Sequence, residues 1–472
     1  MGGGVTRSSV TTTVDNPYTI TNLWYNCKVN TGIYDNSYVL NMANYARDNI
    51  LNYQNITEIP SGHLPTDINT SIAQNWYNAF VLCRYLTSLP DPFYDTSNAT
   101  DMNYTFSSCY NLTTVPNFDT SNVKNMNGMF RYCRNLTSLP DPFYDTSNVT
   151  DMTLMFAQCN ALTTVPNFYI GAANITSIFQ TCRSLTSVPN FDTSKVTSMI
   201  AMFNACRNLT TVPNFNTSKV TSMQRMFSEC RNLTTVPNFD TSNVTDMNDM
   251  FSNCQNLTTV PNFDTSNVTS MFKTFMGCES LTTVPNFDTS NVTNMANMFQ
   301  MSIYDTTRPS DSSKLKIVPN FNTSKVTNMN GMFENCENLT TIPNFDTSNV
   351  TDMGSMFSNC NSPIILPNFN TSNVTSMRYM FFNCYNLTTI PNFDTSNVTN
   401  MGSMFSNCQN LTTVPNFDTS NVISITSMFN HCFNLTTVPN FDTSNVTNMS
   451  GIFQSCLSLT TVPNFDTSNV TN

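Results

Sequence analysis

The sequence contains few charged side chains. Asp, Glu, Lys and Arg make up 10% of its 472 residues, against roughly 25% in an average globular domain. The formal net charge is −11, and such an acidic chain lacks the clustered Lys and Arg that nucleic acids and anionic membranes require. We therefore predict a protein or glycan partner and no nucleic acid.

Long apolar runs are also absent. No stretch approaches the roughly 18 apolar residues that a transmembrane helix needs, so we predict no membrane span. Residues 1–20 lack the apolar segment of a secretory signal, and no lipidation motif or wall anchor is visible. We expect the protein outside the cell or on the surface of a particle, by an export route that the sequence does not show.

Residue types that serve catalysis and metal binding are scarce. The chain has two histidines, His63 and His431, and no Cys-x-x-Cys pair, so we expect no zinc site. It shows no nucleophile with a histidine partner and no glycine-rich phosphate loop. Most of the 16 cysteines recur once per repeat, and we interpret them as small buried side chains rather than disulfides. The sequence predicts a protein that is not an enzyme and has no cofactor or metal.

What the sequence does contain is a repeat. The string Asn-Leu-Thr-Thr-Val-Pro-Asn-Phe-Asp-Thr-Ser-Asn-Val-Thr, at residues 256–269, recurs in near-copies from about residue 110 to the end. Seventeen segments of the type Leu-x-x-Val-Pro alternate with sixteen copies of Met-x-x-Met-Phe-x-x-Cys or its variants, mostly at a spacing of 24 residues. Such a fixed period predicts a solenoid in which each coil packs only on its neighbours.

Each repeat predicts a short strand, a corner and a short helix. The apolar residues of one copy stand at i, i+3, i+4 and i+7, which places them on one face of a two-turn helix. They are Met247, Met250, Phe251 and Cys254. Thr-Thr-Val-Pro is extended and ends at its proline, and Asp-Thr-Ser-Asn is turn chemistry. We predict a right-handed, leucine-rich-repeat-like solenoid of parallel strands and short helices, about 80 Å long for about 17 coils.

The chain divides into three regions. Residues 1–13 form a flexible leader, and residues 14–55 form either a small α/β N-terminal cap or a docking segment for another protein. Residues 56–472 form the array, which about ten extra residues within 300–317 interrupt, as a functional loop or as a tolerated insertion. Because the sequence stops in mid-coil, we expect a partner or self-association at the C-terminal coil.

Two columns of polar side chains are candidate sites. The second threonine of each Thr-Thr pair precedes a core-facing residue, so these hydroxyls should form an outward row, the best candidate for a binding surface. The row comprises Thr211, Thr235, Thr259, Thr283, Thr341, Thr389, Thr413 and Thr437. The aspartates of Asp-Thr-Ser-Asn should also stack, as in Asp240, Asp264 and Asp288. We favour turn capping over a calcium row for them, because the glycine-rich nonapeptide of calcium-binding repeats is absent.

The repeat resembles that of a known family. Residues 79–89 follow the pattern Ala-Phe-x-x-Cys-x-x-Leu-x-x-Leu, and later copies read Val-Thr-x-Met-x-x-Met-Phe-x-x-Cys. This pattern closely resembles the BspA-like leucine-rich repeat surface proteins over about residues 56–472. The resemblance implies a solenoid displayed on bacterial, protist or viral surfaces, with a role in binding host or matrix components and no catalytic residues.

From the array and the resemblance we predict a non-enzymatic binding or adhesion protein. It would present its extended repeat surface to a protein or a glycan. Two alternatives stay open. The plain Met-Gly-Gly-Gly start also suits a virion protein, such as a receptor-binding appendage of a phage or virus. The array could also be a spacer rod that holds another component away from a surface.

Overall fold

The computed structural model describes most of the repeat array. The described residues are 74–89, 95–141, 143–171, 174–301, 313–362 and 364–471. The predicted leader at 1–13 and the predicted cap or docking segment at 14–55 lie outside them, as does most of the predicted insertion at 300–317. These boundaries stay predictions.

Parallel bridges between successive coils define the fold. One residue of each coil pairs with its equivalent in the next, in an unbroken ladder of sixteen positions. At Ser270, for example, the Thr269 N–H donates to the Thr245 carbonyl of the preceding coil at 3.0 Å. The Met271 N–H donates in the other direction, to Asn294 of the next coil, at 3.0 Å. The chain is therefore a leucine-rich-repeat-like solenoid, as predicted.

The ladder also joins coils of unusual length. Most steps are 24 residues, but Asn75 to Asp101 is a step of 26 and Asp151 to Asn174 a step of 23. The coil that contains the predicted insertion makes a step of 34 residues and still pairs Asn294 with its equivalent in the next coil. Differences in coil length are thus absorbed between ladder positions, without a break in the stack.

The Met-x-x-Met-Phe-x-x-Cys segment is a run of turns, and the predicted two-turn helix is wrong. The described residues contain no α-helix, and hence none that could cross a membrane, and no strand beyond isolated bridges. The N–H groups of Met250 and Cys254 close turns onto carbonyls three residues earlier, at 3.1 and 3.0 Å. The N–H groups of Asp249 and Phe251, on either side of Met250, donate to the next coil at 2.9 Å. An α-helix keeps each N–H within its own segment, so this sharing excludes one.

The backbone of these turns enters the left-handed region twice in a typical coil. Asp249 has a φ of 55° and Asn253 a φ of 60°, whereas every residue of an α-helix has a negative φ. The spacing of the apolar residues still predicts the core correctly, since Met250 and Cys254 are fully buried. The pattern i, i+3, i+4, i+7 therefore identifies the buried side chains and misidentifies the backbone conformation.

The predicted strand at Thr-Thr-Val-Pro is shorter than expected. The Thr258 N–H donates to the Thr234 carbonyl of the preceding coil at 3.1 Å, but on this side bridges between two described residues join only the coils of Ile317, Thr341 and Ile365. Pro261 has no N–H to donate, and the Phe263 N–H bonds back to the Pro261 carbonyl at 3.0 Å. The continuous ladder consequently runs beside the methionines, at positions such as Ser270, and not through the Thr-Thr-Val-Pro segments.

Two columns of phenylalanine run through the core. The Phe251 ring stacks between Phe227 and Phe275, with its centroid 5.7 Å from each of theirs. In the second column, Phe263 stacks on Phe239 at 6.4 Å. Aromatic pairs of this kind contribute about 0.5–1.5 kcal/mol each beyond the burial of their area. Each coil thus gains stability from a specific contact with the coils on either side.

Candidate functional site

The predicted threonine row faces outward. All eight threonines, from Thr211 to Thr437, are exposed. The residue that follows each of them points inward, as Val260 does. We call this side of the solenoid the threonine face and define it by Asn256, Thr258, Thr259 and their equivalents in the other coils. Sequence alternation predicts its direction correctly, and ligand binding by the row stays a prediction.

The two threonines of each pair play different parts. The Thr258 hydroxyl donates to the Thr234 carbonyl at 3.2 Å, so the first row helps to join the coils. Among the eight predicted threonines, only Thr283 has a hydroxyl bonded within the described chain, to the Val284 carbonyl at 3.4 Å. The second row, which includes Thr259, is therefore the one whose hydroxyls remain available to a ligand.

Asparagine amides form a third row beside the threonines. The Asn410 side chain donates to Asn386 at 3.3 Å, and Asn434 donates to Asn410 at 3.4 Å. Because each amide is both donor and acceptor, this row can bond along the solenoid and still offer groups to solvent. The threonine face thus presents uncharged hydroxyl and amide groups in register.

Two isoleucines interrupt the second threonine row. Ile317 and Ile365 occupy the position of Thr259 and are 53% and 82% exposed. Parallel bridges join both to Thr341, which lies between them. A cavity of about 430 Å³ opens beside Ile365, and the predicted residue Thr389 is part of its lining. This apolar patch was not predicted from the sequence, although Leu-Lys-Ile-Val-Pro and Ile-Ile-Leu-Pro visibly depart from Leu-Thr-Thr-Val-Pro.

The aspartates cap the turns of the Asp-Thr-Ser-Asn corner. The Asp264 carboxylate accepts hydrogen bonds from the Ser266 N–H at 3.0 Å and from its hydroxyl at 2.7 Å. Within the described residues, no group of three or more His, Cys, Asp or Glu side chains is placed to hold a metal ion. The aspartates therefore stabilise the turns in which they lie.

The hydrogen bonds from serine also lower the pKa of the aspartates at this turn. A carboxylate that accepts hydrogen bonds is favoured in its charged form, so bonds from the serine two residues later hold the pKa of nine corner aspartates below its ordinary value. These are Asp95, Asp145, Asp192, Asp240, Asp288, Asp346, Asp394, Asp442 and Asp466. The array consequently contains a repeated group that prefers to stay ionised.

Acid is therefore expected to destabilise the array. A carboxylate whose pKa is lowered in the folded state stabilises that state at pH values above its unfolded pKa, which is about 3.9 for Asp. That contribution is lost as pH falls through the folded value. We expect the melting temperature to drop on going from about pH 5 to about pH 3, as followed by circular dichroism.

A variant with asparagine at the corner provides the control for this acid effect. Asn216 already occupies the position, and its side chain accepts a 3.2 Å bond from the Ser218 N–H, so Asp240→Asn, Asp288→Asn and Asp346→Asn should keep their turns. The triple variant should lose less stability over the same pH range than the parent. An equal loss in both proteins would show that the corner aspartates are not responsible.

A buried threonine at the same corner joins neighbouring coils. Thr265 is 1% exposed, and its hydroxyl donates to the Asp288 carbonyl of the next coil at 2.7 Å. Asn267 bonds in the other direction, to the Ser242 carbonyl, at 2.7 Å. The sequence predicts only that these residues form the turn, because turn propensity does not show which polar side chain points inward.

The cysteine thiols are buried and form no disulfides. Of the fifteen described cysteines, all are free and only Cys456 is partly exposed. The Cys254 thiol donates to the Phe227 carbonyl of the preceding coil at 3.0 Å. Burial raises the pKa of Cys182 and Cys384 to about 12. A thiol that stays protonated is a poor nucleophile, so this column serves packing, as predicted.

These features define the class of protein. Coils of about 24 residues, joined by parallel bridges around an apolar core, make the chain a solenoid of the leucine-rich-repeat type. Within that class it belongs to the family described as "Mycoplasma protein of unknown function, DUF285". The match covers residues 74–169, 173–260, 230–307, 301–413 and 385–472. A comparison with curated proteins finds no match.

Solved structures of bacterial leucine-rich repeat proteins are similar to the chain. One from Bacteroides ovatus is 16% identical, with 87% of each chain covered and a TM-score of 0.33. A leucine-rich cell surface protein from Faecalibacterium prausnitzii is 16% identical over 87% of this chain and 83% of that one, with a TM-score of 0.34. One from Eubacterium ventriosum is 19% identical over 80% and 85%, with a TM-score of 0.32.

Proposed function

We propose that the chain is a non-enzymatic binding protein whose threonine face contacts a protein or glycan outside the cell. The observation that carries the proposal is the second threonine row, in which exposed hydroxyls recur coil after coil without partners in the described chain, apart from Thr283. The coils that carry these hydroxyls are joined by backbone hydrogen bonds to the coils on either side. Groups that are fixed before binding lose little entropy when a ligand arrives.

The same observation supports an adhesive role of the BspA-like kind. Many weak hydroxyl contacts along one face gain strength by acting together on an extended partner. Genes for cell-wall anchoring beside its own would support display on a cell. Genes for capsid and tail proteins would instead support an appendage of a virus particle.

The test begins with the purified chain on arrays of glycans and of extracellular-matrix proteins. For any partner found, a variant with Thr235→Ile, Thr259→Ile and Thr283→Ile should bind at least about tenfold more weakly, a loss of about 1.4 kcal/mol. The substitutions remove three hydroxyls without adding charge, and isoleucine occupies this position naturally at Ile317 and Ile365. The matched control places three isoleucines at Asn238, Asn262 and Asn286, which are exposed on another part of the same coils.

Two results would overturn the proposal. If the folded protein bound nothing on either array, the spacer-rod alternative would remain. If the asparagine control lost as much binding as the threonine variant, the threonine face would not be the contact surface. Circular dichroism of all three proteins establishes that they are folded.

A further inference from the structure

A second surface lies at the turn that leads into the threonine face. In each typical coil a turn joins the cysteine to the following leucine, as in the 3.1 Å bond from the Leu257 N–H to the Cys254 carbonyl. The two central residues of this turn point outward. The second of them, Asn256, donates its N–H to the Arg231 carbonyl of the preceding coil at 3.1 Å. Successive turns are therefore held in register by the backbone.

The first central position of this turn carries arginine in the N-terminal half of the array. Five of the seven described coils up to residue 231 have it, and the sequence then changes to glutamine and glutamate at residues 255, 279 and 337. We call the five residues the arginine corner: Arg84, Arg134, Arg183, Arg207 and Arg231. Because neighbouring turns are bonded through the backbone, these side chains form a row along the solenoid.

The formal charge of residues 74–472 also differs between the part that carries the arginines and the part that follows it. Residues 74–231 contain ten Lys and Arg against nine Asp and Glu, a formal charge of +1. Residues 232–472 contain six against sixteen, a formal charge of −10. An anionic partner would therefore be repelled by the C-terminal half and accepted by the half that holds the arginine corner.

The structure holds several guanidinium groups of the arginine corner in place. Arg84 and Arg134 lie over the ring of Tyr110, with 5.3 and 4.7 Å between guanidinium carbon and ring centroid. Glu229 lies 3.0 Å from Arg207 and 3.9 Å from Arg231. The Nε atoms of Arg84, Arg207 and Arg231 are buried, although the Arg207 and Arg231 side chains are 37% and 41% exposed. The stems are packed, and the heads reach solvent.

We infer that the arginine corner binds an acidic glycan, whose carboxylate or sulfate groups pair with successive guanidinium groups. The planar guanidinium fork matches these anions with two parallel hydrogen bonds. The uncharged hydroxyls of the same sugar chain would meet the adjoining threonine face. The inference rests on the proposed binding function and specifies its ligand class.

Two other anionic partners fit this surface less well. Nucleic acid carries a charge on every nucleotide and is bound by surfaces with a large basic excess, whereas this half of the array has a formal charge of +1. An acidic protein would use apolar anchors at the centre of its interface. Among the described residues between 95 and 300, no large hydrophobic side chain is exposed. A sparsely charged, hydroxyl-rich polymer matches both observations.

The experiment measures binding of the full chain to hyaluronan oligosaccharides, which carry a carboxylate on every second sugar only, by biolayer interferometry. We expect binding that weakens as NaCl rises from about 0.05 to 0.5 M, because salt screens exposed charges. Arg183→Gln, Arg207→Gln and Arg231→Gln together should reduce the affinity at least about tenfold. Glutamine occupies this turn position naturally at Gln255 and Gln409, so the variant should fold.

A second variant removes the same charge from elsewhere in this half. Lys124→Thr, Lys195→Asn and Lys219→Asn restore residues that other coils carry at these positions, and this protein should keep its affinity within about twofold. Equal losses in both variants, or tighter binding to single-stranded DNA or to polyglutamate than to hyaluronan, would overturn the inference. So would equal binding to neutral dextran.

The two proposals can fail separately. If partner binding required the threonine face but was unchanged by the three Arg→Gln substitutions, the inference about the arginine corner would be wrong. The proposed function would then still stand. If the folded chain bound hyaluronan only through the arginine corner, with no effect of the Thr→Ile variant, the inference would stand and the threonine face would not be a contact surface.

Discussion

Replacing Phe251 with alanine is expected to lower the free energy of unfolding of the surrounding coils by about 3–5 kcal/mol. The side chain is 1% exposed and stacks on Phe227 and Phe275 at 5.7 Å on either side. Truncation therefore removes buried area, leaves a cavity and breaks two aromatic contacts. Both neighbouring coils lose a packing partner, so the damage should extend along the stack.

Native-state hydrogen exchange is the appropriate measurement for this variant. Stability in a repeat array is a sum over neighbouring units, so exchange of backbone amides resolves which coils have weakened. We expect faster exchange in the coils of Phe227, Phe251 and Phe275, and little change in distant coils. The control is Tyr385→Ala, because that ring is exposed. Uniformly faster exchange along the chain, or none, would contradict the expectation.

Replacing Thr265 with valine is expected to cost about 1–3 kcal/mol. Valine has nearly the same shape, so the core remains filled, but the hydroxyl that donates to the Asp288 carbonyl at 2.7 Å is lost. A carbonyl left buried without its partner bears the full cost of having left water. The change tests a single inter-coil hydrogen bond, separately from packing.

Two further substitutions isolate the role of the buried hydroxyl. Thr265→Ser keeps a donor and should retain most of the stability. Thr259→Val makes the same chemical change on the exposed threonine face and should alter the stability by less than about 0.5 kcal/mol. Urea denaturation compares all three with the parent. Similar losses for Thr265→Val and Thr259→Val would show that burial of the hydroxyl is irrelevant.

The sequence is sufficient to predict the solenoid and its core, but not the backbone conformation of each coil. Apolar spacing identifies Met250, Cys254 and their equivalents as buried, because an inward position must be apolar in every copy. The same spacing fits a helix and a run of turns. The positive φ values that decide between them fall on residues as ordinary as Asp249 and Lys273, and only an occasional glycine, such as Gly277, marks them.

At the candidate site, the exposure of a side chain was easier to predict from the sequence than its hydrogen-bond partner. Alternation with Val260 predicts that Thr259 faces solvent. No local pattern distinguishes it from Thr265, whose hydroxyl is buried because the next coil supplies an acceptor. The arginine corner is visible only when coils are placed in register, since its members stand 24 to 50 residues apart and each is unremarkable alone.

The direction of the inter-coil bonds has a mechanical consequence. The N–H groups of Asp249 and Phe251 point along the axis of the array, whereas the chain within a coil runs across it. Tension along the axis therefore pulls on the hydrogen bonds between one pair of coils at a time. Each coil of about 24 residues that unfolds lengthens the chain by at most about 80 Å. A molecule built in this way extends under load in a series of separate steps, one for each coil.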